Sequence, residues 1–244
     1  MKKTFYLSLL FLFASSAFAG EVLIPAVYRG AGANGTLWRT EIVVSNLTTE
    51  PQLEPVPVTI TFHGEDGQSK SIAMPLTAME VIAIPDAVRE WFDVDNGGGI
   101  VRVTWEGSPA TRIAARARVY NVGEHGQYGQ NVPGIDTNRL GSIQYMPGIT
   151  GVDGNRTNIG ISNPTNQSTL AWIELIDTSG SSRGSFAVNV GPRSYRQFND
   201  IFSHFQAGPL NAAMVRVIAV NTIVYAYASI VRNDTGDATF VSGQ

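Results

Sequence analysis

Trp38-Arg39-Thr40-Glu41-Ile42-Val43-Val44-Ser45-Asn46 returns as Asn155-Arg156-Thr157-Asn158-Ile159-Gly160-Ile161-Ser162-Asn163 later in the same 244-residue chain. A matching triplet stands ahead of each copy, Leu23-Ile24-Pro25 and Tyr145-Met146-Pro147. The echo persists downstream through Ile60/Ile173, Asp86/Asp200, Arg102/Arg216 and Asn121/Asn233, and the spacing drifts only from 163 − 46 = 117 to 233 − 121 = 112 residues. Its largest step falls where the first copy holds the extra Pro51-Gln52-Leu53-Glu54-Pro55, and insertions of that kind sit in surface loops. An internal duplication of roughly 100-residue units makes each unit a candidate domain.

Each unit reads as strands. Glu41 to Ser45, Val58 to Phe62, Ser71 to Leu76, Glu80 to Ile84, Ile100 to Trp105 and Arg112 to Tyr120 are short runs rich in β-branched and aromatic residues, punctuated by Gly, Pro, Asn and Asp. No run sustains a 3.6-residue apolar period. Two helical turns are the exceptions: Asp86 is placed to cap Ala87 to Trp91, and Asn199 or Asp200 to cap Ile201 to Phe205. Asp-Gly at 66–67 and Ser-Gly at 179–180 mark hairpin turns at the same place in both units. The expected fold is all-β: two tandem antiparallel β-sandwiches, immunoglobulin- or fibronectin-III-like, with one short helical turn each. They span residues 20–134 and 142–244, with a linker at 135–141.

One strand resists a simple copy. In Arg112 to Tyr120 the arginines fall on one parity and Ile113, Ala115, Ala117 and Val119 on the other. Aligned on Asn121/Asn233, that apolar parity becomes Tyr225, Tyr227, Ser229 and Val231, while Val224, Ala226, Ala228 and Ile230 make a second apolar face. Either the tyrosines are core or the strand is buried on both faces.

Met1-Lys2-Lys3, the apolar run Phe5 to Ala14 and the small-x-small site Ala17-Phe18-Ala19 form a signal peptide over residues 1–19. No later segment approaches the roughly 20 apolar residues of a spanning helix. Removing Lys2 and Lys3 takes 17 Lys and Arg against 20 Asp and Glu to 15 against 20, a mildly acidic balance that argues against nucleic acid or an anionic membrane as partner. A Lys-Lys signal with no cysteine anywhere favours a bacterial exported protein, bound for the periplasm, the cell surface or the medium.

The opening Ile24-Pro25-Ala26 with Trp38-Arg39-Thr40-Glu41, and the close Ser229-Ile230-Val231-Arg232-Asn233-Asp234-Thr235-Gly236-Asp237, resemble the repeated β-modules of bacterial exported proteins. The resemblance covers essentially the whole mature chain and implies a non-catalytic extracytoplasmic module. It assigns no binding residues.

Chemical motifs fail on context. Gly30-Ala31-Gly32-Ala33-Asn34-Gly35 matches the dinucleotide G-x-G-x-x-G, but a strand and not a helix follows it. Gly180-Ser181-Ser182-Arg183-Gly184 matches the nucleophile elbow, but lies in a polar hairpin, so a serine hydrolase acting through Ser182 is a distant alternative. His63 reads as a turn residue, His125 as a linker residue and His204 as part of the second helical turn, with none at metal spacing. Asp93-Val94-Asp95-Asn96 and Asp153-Gly154-Asn155 read as solvated turns, and loop calcium stays open.

No catalytic, cofactor or metal residue is therefore assigned. The expected function is a non-enzymatic structural, adhesive or interaction protein with a protein or polysaccharide partner, and self-association through edge strands stays open. The rival is a pair of carbohydrate-binding modules using exposed aromatics. Trp105 and Trp172, inside strands, are expected in the core; Trp38, Arg39 and Tyr128 are the candidate ligand-binding residues.

Overall fold

The computed structural model describes residues 18–32, 35–49, 54–123 and 126–244, so all but the last two residues of the signal peptide, together with His125, lie outside the described residues. The first copy runs β1 (Phe18–Ala31), β2 (Leu37–Asn46), β3 (Val56–Gly64), β4 (Ser69–Leu76), β5 (Val81–Ile84), α1 (Ala87–Glu90), β6 (Gly97–Gly107), β7 (Ile113–Gly123) and β8 (Gly126–Pro133). A two-residue strand, β9 (Ile135–Asp136), follows. The second copy runs β10 (Ile143–Ile149), β11 (Asn155–Asn163), β12 (Thr169–Asp177), β13 (Ser182–Val190), β14 (Ser194–Phe198), α2 (Ile201–His204), β15 (Ala213–Ala219), β16 (Tyr225–Arg232) and β17 (Ala238–Ser242).

The duplication is plain in the strand order. In the second copy β10-β15-β12-β13 faces β14-β11-β16-β17, and in the first β4-β3-β6-β1 and β5-β2-β7-β8 repeat that order strand for strand. All pairings are antiparallel, and alternate residues such as Ile159, Ile173, Val215 and Ala228 meet between the sheets in a core. Lettered A to G, an immunoglobulin sandwich pairs C with F and B with E, as β3 with β6 and β2 with β5 do here. The flanks differ: β1 lies beside β6 and β7 beside β2, where that fold has its strands G and A.

Residues that persist between the copies do the same work in each. Pro25 and Pro147 both sit at β-bulges, where a missing N–H costs no ladder bond. Thr40 and Thr157 are buried and donate to the carbonyls of Tyr28 (2.7 Å) and Thr150 (2.6 Å), tying each second strand to the one before it. Asn46 donates to Leu76 O (3.1 Å) and Asn163 to Val190 O (3.4 Å), at the end of each fourth strand, while both oxygens accept the amide two residues on. Asp200 caps α2 through Ser203, whereas Asp86 makes no cap bond at α1 because Arg29 Nε holds its carboxylate at 3.0 Å.

Register resolves the awkward strand. Ile42 pairs with Ala117 and its twin Ile159 with Ala228, so 228 − 117 = 111 is the true offset and Asn121 corresponds to Arg232, not Asn233. A one-residue slip exchanges the faces of a strand. Tyr225 and Tyr227 therefore stand where the first copy has outward Ala114 and Arg116. Both are fully buried, as are Ala226 and Ala228 on the inward face: β16 is covered on both sides.

What covers the tyrosines is the first copy. Tyr195, Tyr225 and Tyr227 belong to its hydrophobic cluster, while Ala226 and Ala228 belong to that of the second. Ser162 Oγ donates across the junction to Pro25 O at 2.6 Å, and both residues are buried. The stretch expected as a linker is held at both ends: Ile135 is buried and pairs with Leu23, residues 137–139 form one 3-10 turn, and Gly141 bridges to Val224.

Two expectations are corrected. Trp105 is core, but Trp172 is 45% exposed, because Ala171, Ile173 and Leu175 take the inward parity of β12 and leave the tryptophan outside. His63 is no turn residue; it is the penultimate residue of β3, is buried, and lies opposite Ser69.

Candidate functional site

Where the tyrosine sheet meets the first copy, a cleft of about 600 Å³ stays open, lined by both. The first copy contributes Trp38 at the start of β2, Gly32 in the β1–β2 loop and Gln130 on β8. The second contributes Arg156 and Asn158 on β11, Gln197 on β14, Asn199 ahead of α2, and Ser229 and Asn233 at the end of β16 and beyond it.

Trp38 is fixed between two glycines. A Cβ on Gly32 would overlap the indole, and Gly236, at φ 75° in the turn after β16, brings its backbone over the ring edge and over Asn121. Asn121 is fully buried opposite Trp38, and its amide has no hydrogen-bond partner among the described residues.

Hydrogen bonds order the walls. Tyr227 Oη donates to Gln197 Oε1 (3.0 Å), and Gln197 Nε2 donates to Asn199 Oδ1 (2.9 Å). Ser229 Oγ donates to Gln130 Oε1 across the junction (2.8 Å). Burial pushes the Tyr195 and Tyr227 hydroxyls well above the usual phenol range, so both stay neutral. Arg196 and Glu65 close the rim as an ion pair between the copies at 2.9 Å. Arg156 donates to Asn233 Oδ1 at 2.5 Å; burial lowers its pKa and the nearby Asp200 carboxylate opposes that.

Its twin in the first copy, Arg39, lies 3.9 Å from Asp86. The two arginines thus keep the same acidic neighbour, but only Arg156 lines the cleft. With the register set by strand pairing, Asn158 replaces Glu41, Gln197 replaces Ala83, Asn199 replaces Pro85 and Ser229 replaces Arg118. The wall has exchanged two charged residues and two apolar ones for amides and a hydroxyl.

No family model, curated protein or solved structure matches the chain. Of the three residues singled out from sequence, the structure places Trp38 in the cleft and leaves Arg39 and Tyr128 out of its lining. Tyr128 lies opposite Asn121, which lies opposite Trp38, so all three share one row of the sheet. The amides of the second copy were missed. Their signal was the substitution pattern between copies, legible only in the correct register.

The motif matches fall on strands and the turns between them. The G-x-G-x-x-G stretch joins two antiparallel strands, with Ala33 and Asn34 outside the described residues. Ser182 opens exposed β13, and Asp177, at the turn before it, accepts from Ser179, Ser181 and Arg183, which holds its carboxyl down to about 2. Asp95 pairs with Arg29 and Arg89, and Asp153-Gly154 is a tight turn with both φ positive. His204 packs among Phe186, Phe198 and Phe205. Ser69 Oγ lies 3.1 Å from His63 Nδ1, and His63 Nε2 is buried without a hydrogen-bond partner among the described residues. No helix among the described residues is long and apolar enough to cross a membrane.

Proposed function

We propose that the chain is an exported bacterial interaction protein without enzymatic activity, in which two duplicated sandwich domains dock to make one binding surface. The observation that supports this is the shared cleft: its lining comes from both copies, and the second copy's part differs from the first at Asn158, Gln197, Asn199 and Ser229. The copies differ in the residues that face one another across the cleft, while residues that persist, such as Asn46 and Asn163, are spent inside each sandwich. A scaffold kept twice with one altered face suits adhesion or recognition.

A pair of carbohydrate-binding modules is the second reading, favoured by Trp38 standing among carboxamides in the cleft. The test of the broader proposal is whether a bound ligand leaves unchanged. Ligand recovered intact by mass spectrometry after prolonged incubation supports it. Esterase turnover that disappears in Ser182→Ala would overturn it.

A further inference from the structure

We infer that the cleft between the copies is a saccharide site that takes a short oligosaccharide, an inference that rests on the chain being a non-enzymatic binding protein. Its volume of about 600 Å³ falls within the roughly 300–1,000 Å³ of small-molecule sites. Its chemistry is narrower. A carboxamide presents a donor and an acceptor side by side, as vicinal sugar hydroxyls do, and Gln130, Asn158, Gln197, Asn199 and Asn233 all line the space. All five oxygens already accept within the protein, Gln130 from Ser229, Asn158 from the Asp200 amide, Gln197 from Tyr227, Asn199 from Gln197 and Asn233 from Arg156, so what Asn199 and Asn233 hold out to a ligand is their donors. Their N–H₂ groups have no protein acceptor among the described residues. Trp38 supplies an apolar wall with a polar edge, the kind of surface that the C–H face of a pyranose covers.

Docking alone does not account for this lining. Packing one copy on the other would favour loss of Glu41 and Arg118 at the equivalent positions, since buried charge is costly. It explains Gln197, whose Oε1 accepts from the buried Tyr227 hydroxyl, but gives no reason for the outward N–H₂ of Asn199 in place of Pro85, since Asn199 remains exposed rather than packed on the first copy. A phosphorylated ligand would call for several cations, but the one arginine in the lining is Arg156, while Arg196 is engaged with Glu65 at the rim. Arg156 suits a pair of hydroxyls or one sugar carboxylate.

The experiment uses the whole mature chain on an array of neutral and uronate-bearing oligosaccharides of two to six rings, followed by calorimetric titration of each binder. Asn199→Ala and Asn233→Ala, both at exposed side chains, are expected to weaken binding roughly tenfold each without changing the melting temperature. Arg156→Gln separates the sugar classes: selective loss of uronate binding identifies a carboxylate contact, and equal loss for both identifies hydroxyl contacts, either result supporting a saccharide site. Absence of binding to every oligosaccharide, or affinity unchanged in both asparagine variants, would overturn the inference. A peptide bound in the cleft with no sugar bound would overturn it while leaving the broader interaction proposal intact; turnover of a bound sugar would overturn both.

Discussion

Tyr227 lies across Gly160 on the neighbouring strand, its ring where a Cβ of residue 160 would stand. Phe240 stacks on the same ring at 5.0 Å and 18°. The equivalent pair in the first copy is Val43 and Arg116, with Arg116 exposed and 3.7 Å from Glu41. Glycine and tyrosine thus changed together: one removed the bulk that the other needs. Gly160→Val, which restores the first copy's residue, should displace the ring and lower unfolding free energy by about 1–3 kcal/mol in urea titrations, as overpacking does. An unchanged midpoint would show that the ring has another place to go.

The paired asparagines should cost alike. Asn163→Ala removes an amide that donates to Gln167 O (2.7 Å) and Gly191 O (2.8 Å) in a buried corner, and Asn46→Ala removes its counterpart. Each should lose about 1–3 kcal/mol, because the Val190 carbonyl beside Asn163 and the Leu76 carbonyl beside Asn46 are buried and would be left without that donor. Chemical denaturation of the two variants measures it.

Trp172 leads to the opposite expectation. It lies in one row with Ile143 and Ile218 on the outer face of its sheet, where the first copy has Thr59, Glu21 and Thr104 in the same register. Trp172→Thr should therefore change stability by less than about 0.5 kcal/mol, and should reduce binding of an apolar dye such as ANS. A loss typical of a core tryptophan would contradict the exposure.

His63 makes the fold acid-sensitive in a defined window. Burial, then the Arg102 and Arg193 cations, lower its pKa to about 4, with Glu21 opposing. Above pH 6.5 the ring is neutral in folded and unfolded chains alike and adds no pH dependence. Between 6.5 and about 4 only the unfolded chain binds the proton, so stability falls as pH falls, by about 2 kcal/mol across the window. Asp177 and Asp234, held down to about 2 by hydrogen bonds, titrate below it. Urea midpoints at pH 7 and pH 4.5 should converge in His63→Asn; an equal acid loss in the variant would assign the effect elsewhere.

Strands, hairpin turns, both helical turns and the duplication were legible because each is written in local periodicity and turn chemistry. The order of strands was not, since nothing local in Phe18–Ala31 says that most of it pairs with Gly97–Gly107 and only its last two residues with its sequence neighbour. Aligning Asn121 with Asn233 was the costly slip. It moved Tyr225 and Tyr227 to the wrong face, and a strand buried on both faces has no alternation to expose the error. The cleft was hidden for the same reason, because Asn158, Gln197 and Asn199 stand out only beside their correct counterparts. Trp38 was found because it needed no register. Trp172 was misjudged on residue type, where parity along β12 was the better guide.

The second copy's tyrosine face is shaped to dock on the first copy, with Tyr195, Tyr225 and Tyr227 buried in the first copy's hydrophobic cluster. This is tested most directly by expressing residues 20–141 and 142–244 separately and titrating one with the other by calorimetry. A one-to-one complex is expected, and Tyr227→Arg, the residue of the first copy written into the second, should abolish it while the variant half keeps its β-sheet circular dichroism. Folded halves that ignore each other, or that bind equally well with Tyr227→Arg, would contradict it.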